Sequence, residues 1–189
     1  MRIPASLFLV LLIISNQANS QQLARNFGNN NITTSSISFT PDGRYMVIGG
    51  FAKSYDLTSG QIDLRTIKKD TETQADFSFT VSTSPDSRAF LLTKSNRLEV
   101  WDLQSRTLRK TIKDNQIIET AACYSKDGRH IIYLRKNGEL VILNASTFLQ
   151  SMTKKITDDT PTCVAVTTDR NNIVTGTRKG SIILFNTES

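Results

Sequence analysis

The sequence repeats itself four times with a period slightly above forty residues. One landmark is a turn aspartate, which recurs at intervals of 44, 41 and 42 residues, at Asp42, Asp86, Asp127 and Asp169. A second landmark is an aromatic residue or leucine followed by Asp or Asn. It recurs at intervals of 46, 42 and 42 residues, at positions 55–56, 101–102, 143–144 and 185–186. Two landmarks that share one period indicate a single supersecondary unit repeated along the chain.

Each repeat is predicted to form four short strands. The first strand ends at a turn such as Pro41-Asp42-Gly43, where Asp accepts hydrogen bonds from nearby backbone and Gly supplies a positive φ. The second is apolar and β-branched, and a tight turn such as Asn137-Gly138 leads to the third, which ends at the aromatic–acid pair. A more polar fourth strand follows, at Ile62–Ile67, Thr107–Ile112 and Leu149–Ile156. No segment keeps a helical period, so the sequence predicts an all-β protein of four-stranded antiparallel units.

These units resemble WD repeats, which run to about 40–45 residues and have a Trp-Asp signature. Trp101-Asp102 matches that signature, Tyr55-Asp56 is a conservative variant, and the resemblance extends over residues 33–189. It implies a β-propeller of four-stranded antiparallel blades, with either four blades or a partial, open ring. WD proteins are binding modules, so the resemblance also implies a protein or peptide partner.

The chain departs from the family at the residues of its polar network. The usual Gly-His before the first strand is missing, and the Asp between strands two and three is replaced by Ser95, Asn137 and Lys179. The family's hydrogen-bonded network is therefore expected to be largely absent. Apolar packing between sheets is expected to hold the repeats together instead.

Residues 1–20 have the pattern of a secretory signal peptide: a basic start, an apolar run over residues 7–14, and small residues before the cleavage site. A buried strand or an organelle presequence is the alternative. The run is too short for a membrane span, which needs about 20 residues. Residues 21–32 would then be an N-terminal extension, and removal of Arg2 lowers the net charge from +6 to +5. The expected location is secreted or in the endomembrane lumen, or the periplasm in a bacterium, with the cytoplasm as the alternative.

Cys123 and Cys163 are expected to be two separate buried thiols rather than a disulfide. Both occupy the first strand of their repeats, at even offsets from the turn aspartate, so they point the same way in adjacent repeats. Sheets that face each other lie about 10 Å apart, which exceeds the Cα separation of a disulfide. An oxidising compartment would permit pairing, so both outcomes remain open. The sequons at Asn31 and Asn144 would accept glycans in a eukaryotic lumen.

The sequence offers little for catalysis. His130 is the single histidine, and no metal-binding, nucleophile or phosphate-loop motif occurs. We therefore expect a non-catalytic scaffold without a metal or cofactor. The alternatives are a lactonase-like or dehydrogenase-like propeller enzyme, which would need several converging His, Asp or Glu side chains, and a non-functional fragment of a longer propeller.

The turns between the second and third strands of three repeats carry basic residues, at Lys94, Arg97, Arg135, Lys136, Arg178 and Lys179. Equivalent turns emerge on one side of a propeller, so these residues predict a basic binding rim. The alternative is that polar hairpin tips are simply solvated. The predicted partner is a protein or peptide, with an acidic one as an option, or a second copy that completes the ring. The diffuse charge does not indicate nucleic-acid binding.

Overall fold

The computed structural model describes residues 34–50, 53–57, 79–167 and 172–187. Every regular element in these ranges is a β-strand, and the strands form four antiparallel sheets. The all-β prediction is therefore confirmed. The signal peptide, the extension at 21–32, the Asn31 sequon, the strand Ile62–Ile67 and the turn at Asp169 lie outside the described residues.

Each sheet is built from strands that are consecutive in the chain. Sheet 1 contains β1 (Ile37–Phe39), β2 (Tyr45–Ile48) and β3 (Lys53–Asp56). Sheet 2 contains β4 (Thr80–Thr83), β5 (Ala89–Lys94), β6 (Arg97–Asp102) and β7 (Leu108–Lys113). Sheet 3 contains β8 (Ile117–Tyr124), β9 (His130–Arg135), β10 (Glu139–Asn144) and β11 (Gln150–Lys155). Sheet 4 contains β12 (Pro161–Val166), β13 (Asn172–Thr177) and β14 (Ile182–Asn186).

The Asn-Gly turn predicted after the second strand joins β9 to β10. Gly138 has a φ of +84°, which a side chain disfavours. An added Cβ there would also lie 1.9 Å from the Thr157 carbonyl oxygen. Only glycine fits this position, because both the backbone angle and the space exclude a side chain.

Sheets that follow each other in the chain pack against each other. Val47 of sheet 1 is fully buried in a cluster with Phe90, Leu92 and Trp101 of sheet 2. The other face of sheet 2 packs on sheet 3, and the far side of sheet 3 packs on sheet 4 around Ile173. The first strands β1, β4, β8 and β12 lie next to one another in that order. The described strands of sheets 1 and 4 make no comparable contact with each other.

Sheets 2 and 3 supply most of the buried core, and the outer sheets are more open. Phe90 is completely buried and Trp101 is 4% exposed, so both are core residues. By contrast, the large side chains exposed on sheets 1 and 4 are those of Ile37, Phe39, Ile182 and Leu184. The described strands therefore form a well-packed centre between two apolar end faces.

Candidate functional site

The turn after the first strand is held by an aspartate in sheets 1, 2 and 3. Asp86 Oδ1 accepts hydrogen bonds from the Ser84 hydroxyl at 2.5 Å and from the Arg88 backbone N–H at 3.0 Å. Asp42 and Asp127 make the same two kinds of contact in their own turns. These three aspartates are turn-forming groups, as the repeat pattern predicted, because one local geometry accounts for all of them.

A buried polar cluster lies on the face of sheet 2 that packs against sheet 1. Its centre is Glu99, whose side chain is 1% exposed. The Trp101 indole N–H donates to Glu99 Oε2 over 3.1 Å. Lys94 Nζ lies 3.0 Å from the same oxygen, and Arg97 Nε lies 2.8 Å from Oε1. The apolar packing predicted between the sheets therefore includes a buried polar network centred on Glu99.

The surroundings of Glu99 keep it ionised. Burial on its own raises the pKa of Glu99, because a low-dielectric interior disfavours the charged form. Hydrogen bonds from Arg97 and Lys94, together with their positive charges, outweigh burial and hold the pKa of Glu99 below its ordinary value. The cluster is therefore a charged, hydrogen-bonded unit, and its chemistry is structural.

A second arginine–carboxylate centre lies at the boundary of sheets 2 and 3. Arg135 Nε donates to Asp114 Oδ2 over 2.8 Å, and Arg135 Nη1 donates to Glu139 Oε2 over 2.9 Å. The Tyr133 hydroxyl donates to Asp114 Oδ2 over 2.9 Å. Burial raises the pKa of Tyr133, and the bond to Asp114 raises it further. Burial works against ionisation of Asp114, but Arg135 keeps its pKa below the ordinary value.

A cleft of about 830 Å³ opens beside this centre. One wall comes from the β5–β6 turn and the end of β7, and the other from β9, β10 and the β10–β11 turn. Apolar side chains and fixed charges line it together, including Ile112, Leu143, Phe148, Tyr133, Arg97, Lys113, Asp114 and Arg135. Such a mixture of apolar surface and oriented polar groups is typical of ligand-binding clefts.

The charge that a ligand meets in this cleft is mainly positive. Arg97 is 21% exposed and its partner Glu99 only 1%. Arg135 is 24% exposed and its partner Asp114 only 8%, while Glu139 is 28% exposed. In two of these three pairs the arginine is the more accessible member. Lys113 adds an exposed ammonium to the lining.

The six residues of the predicted basic rim fall into two groups. Lys94, Arg97 and Arg135 pair with carboxylates, and Lys94 is buried against Glu99 instead of reaching solvent. The other three, which are exposed, are Lys136, Arg178 and Lys179. The cleft takes in Arg97 and Arg135 from the six.

Sequence reasoning missed the acids and the tyrosine that organise these centres: Glu99, Asp114, Glu139 and Tyr133. A signal for the first was present, because Arg97 and Glu99 lie two residues apart on one strand and therefore on one face. Lys94 is directly opposite Arg97 in the hairpin. Asp114 and Arg135 are 21 residues apart and meet only in the folded chain.

Both cysteines are free thiols, so the prediction of two separate thiols is confirmed. The prediction that both are buried is wrong for Cys163, which is exposed, and Cys123 is only partly buried. Cys163 lies on the outward face of sheet 4, against which no other described sheet packs. Burial raises the pKa of Cys123 to about 11, with Lys126 opposing the rise. The two thiols therefore differ in exposure because Cys163 lies on the outward face of sheet 4, whereas Cys123 packs against the inward face of that sheet.

His130 and Asn144, two other residues named from the sequence, lie opposite each other in sheet 3. His130 begins β9, is partly exposed, and pairs in register with Asn144 of β10. The Asn144 side-chain carbonyl accepts hydrogen bonds from the backbone N–H groups of Ser146 and Thr147, each over 2.9 Å. Asn144 is thus part of the β10–β11 turn.

A comparison with models of known protein families gives no match, and neither does a comparison with curated protein sequences. Within residues 34–50, 53–57, 79–167 and 172–187, no three His, Cys, Asp or Glu side chains lie close enough to hold a metal ion. The described part of the chain also contains no helix that is long and apolar enough to span a bilayer.

Proposed function

We propose that this chain is a non-catalytic binding scaffold for a protein or peptide, built as a partial, open propeller of WD-like repeats. Support for the architecture comes from the four antiparallel sheets, which follow one another in chain order with their first strands adjacent. The period of the sequence landmarks agrees with that arrangement. The secretory start of the sequence adds an extracellular, lumenal or periplasmic location to the proposal.

The observation that carries the proposed function is the cleft between sheets 2 and 3. Its apolar side chains include Ile112 and Phe148, which offer surface for a partner's apolar groups. Arg135 is held by Asp114 and Glu139, so little side-chain entropy is lost when it meets a ligand. Preorganised polar groups beside apolar surface suit the binding of a peptide segment.

The proposed partner is a segment that combines acidic and apolar side chains. Lys113 and Arg135 present accessible positive charge, while the nearby acid Asp114 is largely buried. Carboxylates of the partner would therefore meet cations. Arginine suits this role because its planar group offers several N–H donors to a carboxylate.

A displayed random-peptide library tests the proposal. The full chain should select peptides enriched in Asp and Glu next to apolar residues, with affinities that weaken as salt increases. Lys113→Glu should weaken binding of a selected peptide by about tenfold, since it replaces attraction by repulsion at short range. Lys110→Glu is the matched control, because Lys110 lies on the same exposed strand but does not line the cleft.

Two results would reject the proposed site. Selection of peptides that are not enriched in Asp and Glu would show that the positive charge of the cleft does not determine the partner. Equal losses from Lys113→Glu and Lys110→Glu would show that net charge, and not the cleft, governs binding. If Lys136→Glu or Lys179→Glu weakened binding and Lys113→Glu did not, the exposed turns predicted from the sequence would be the site instead.

The secretory part of the proposal has its own test. Intact-mass analysis of the protein from its native source should give a chain that starts at Gln21. Retention of Met1 or Arg2 would reject export through a cleaved signal and leave the binding proposal unaffected.

A further inference from the structure

The first strands share an alternation of small and bulky residues. Counted back from each turn aspartate, the fourth and sixth positions are small in every repeat: Ser36 and Ser38, Thr80 and Ser82, Ala121 and Cys123, Cys163 and Ala165. The third and fifth positions are bulkier in most: Ile37 and Phe39, Val81 and Thr83, Ala122 and Tyr124, Val164 and Val166. Neighbouring positions on a strand point to opposite faces, so each sheet has a small side and a bulky side at this strand.

Each contact between sheets joins the small side of one to the bulky side of the next. Ser38 Oγ accepts a hydrogen bond from the Thr83 backbone N–H over 3.2 Å. Ser82 Oγ, at the equivalent position of the next repeat, accepts from the Tyr124 N–H over 3.3 Å. Small side chains let the following strand come close enough for these bonds.

The contact between sheets 3 and 4 has the same direction. Cys123, on the small side of β8, packs in one cluster with Val164 and Val166, on the bulky side of β12. The Thr120 hydroxyl also donates to the Thr162 carbonyl over 2.6 Å. One kind of contact thus joins all three pairs of consecutive sheets.

Among the described strands, one bulky side and one small side are not packed against another sheet. On sheet 1, Ile37 is 54% exposed and Phe39 is 58% exposed. On sheet 4, Cys163 and Ala165 are both exposed. Their registered neighbours across the sheet extend this face to Ile182 and Leu184, which are also exposed. Four of the six large hydrophobic residues that are exposed in the described chain therefore lie on these two faces.

We propose that the two faces bind each other between two copies of the chain, with sheet 4 of one copy packed on sheet 1 of the other. The interface would repeat, between copies, the contact made three times within the chain. Reciprocal pairing would cover both faces of both copies and give a closed dimer. The occupant is a second copy because, within one copy, the described strands of sheets 1 and 4 do not make this contact. This proposal does not depend on the cleft or its partner.

Sedimentation velocity of the full chain over a range of concentrations tests the proposal. The wild type should sediment as a dimer at high concentration, and Phe39→Asp should sediment as a monomer. Leu149→Asp is the matched control, because Leu149 is 70% exposed but lies in the β10–β11 turn, away from both faces. Ala165→Arg attacks the opposite face and should also give a monomer. The proposal would be overturned if the wild type stayed monomeric at all concentrations. It would also be overturned if Leu149→Asp abolished the dimer as completely as Phe39→Asp.

A cross-link separates the proposed pairing from its competitors. Ser36 Oγ accepts a hydrogen bond from the Val81 N–H, so the equivalent Cys163 should lie beside position 37 of the partner copy. Mild oxidation of the Ile37→Cys variant should give a covalent dimer joined between positions 37 and 163. The same link within a monomer would instead show closure of a four-sheet ring, and a 163–163 link would show pairing of like faces. Either of these results, or no link at all, would overturn the proposal.

Discussion

The two arginine–carboxylate centres contain the same chemical groups in different surroundings. At the Glu99 cluster the carboxylate is 1% exposed and binds Lys94, Arg97 and the Trp101 indole. At the Arg135 centre the arginine is 24% exposed and one of its acids, Glu139, is 28% exposed. We call the first centre sealed because its carboxylate is buried between sheets 1 and 2, although Arg97 is 21% exposed. The acids of the second centre are more exposed, Asp114 at 8% and Glu139 at 28%, and this centre borders an open cleft.

This difference separates stability from recognition. A buried ion pair is costly to break, because removal of one partner leaves the other charged and unsolvated. An exposed pair contributes little to stability, since water competes for both partners. The Glu99 cluster should therefore govern unfolding, and the Arg135 centre should govern what the cleft binds.

The largest expected effect comes from Trp101, which is 4% exposed in the sealed region. Trp101→Ala should lower the free energy of unfolding by about 3–5 kcal/mol, because it leaves a large cavity. Trp101→Phe keeps most of the ring but removes the donor to Glu99, so it should cost about 1–3 kcal/mol. Urea denaturation measures both. A loss below about 1 kcal/mol for Trp101→Ala would show that the ring is not a core group.

Removal of the acid at the sealed centre should cost nearly as much. Glu99→Ala leaves Lys94 and Arg97 without their carboxylate and should lower the free energy of unfolding by about 3–5 kcal/mol. Glu139→Ala removes the same group from the open centre and serves as the control, with a much smaller loss. Comparable losses in the two variants would contradict the distinction between sealed and open centres.

Lowering the pH should remove the stabilisation that ionised Glu99 gives to the folded state. The pKa of Glu99 is lower in the folded protein than its ordinary value of 4.5, so the folded state favours the ionised form. Its contribution is complete above about pH 5 and is lost as the pH falls through the ordinary value to the lower folded one. The stability gap between wild type and Glu99→Gln should therefore narrow between neutral and acidic pH. A constant gap would show that charge is not the cause.

The open centre should respond more mildly. Asp114→Asn removes the charge next to Arg135 but retains hydrogen-bonding capacity, so it should cost about 1 kcal/mol in stability. It should also lower the pKa of Tyr133, which Asp114 raises in the wild type. Urea denaturation measures the loss of stability, and a loss as large as that of Glu99→Ala would contradict this prediction.

The smallest effect concerns reactivity and not stability. In a Cys163→Ser variant the remaining thiol, Cys123, has a pKa of about 11 and should react slowly with a thiol reagent near neutral pH. Unfolding in urea should restore ordinary reactivity by removing the burial that raises the pKa. Equal rates in the native and unfolded states would show that Cys123 is not shielded.

The local features of the fold were predictable from the sequence, and the long-range ones were not. The turn at Asp86 depends on residues two positions away, and the Gly138 turn depends on its own backbone angle. Both turns are determined by a few adjacent residues. The Arg135 centre depends on how sheet 2 meets sheet 3, and the exposure of Cys163 depends on what covers sheet 4. No local pattern encodes either relation.

In the proposed assembly each copy has two different binding faces, one on sheet 1 and one on sheet 4. Polymer chemistry calls such a unit a bifunctional monomer. Such a head-to-tail contact is heterologous, so assembly stops only if the rotation between copies closes a ring. A copy with Phe39→Asp would keep its sheet 4 face and lose its sheet 1 face. Mixed with wild type, it would act as a chain terminator, capping one end of any open assembly. The closed dimer proposed above is the smallest such ring, because both of its contacts form between the same two copies.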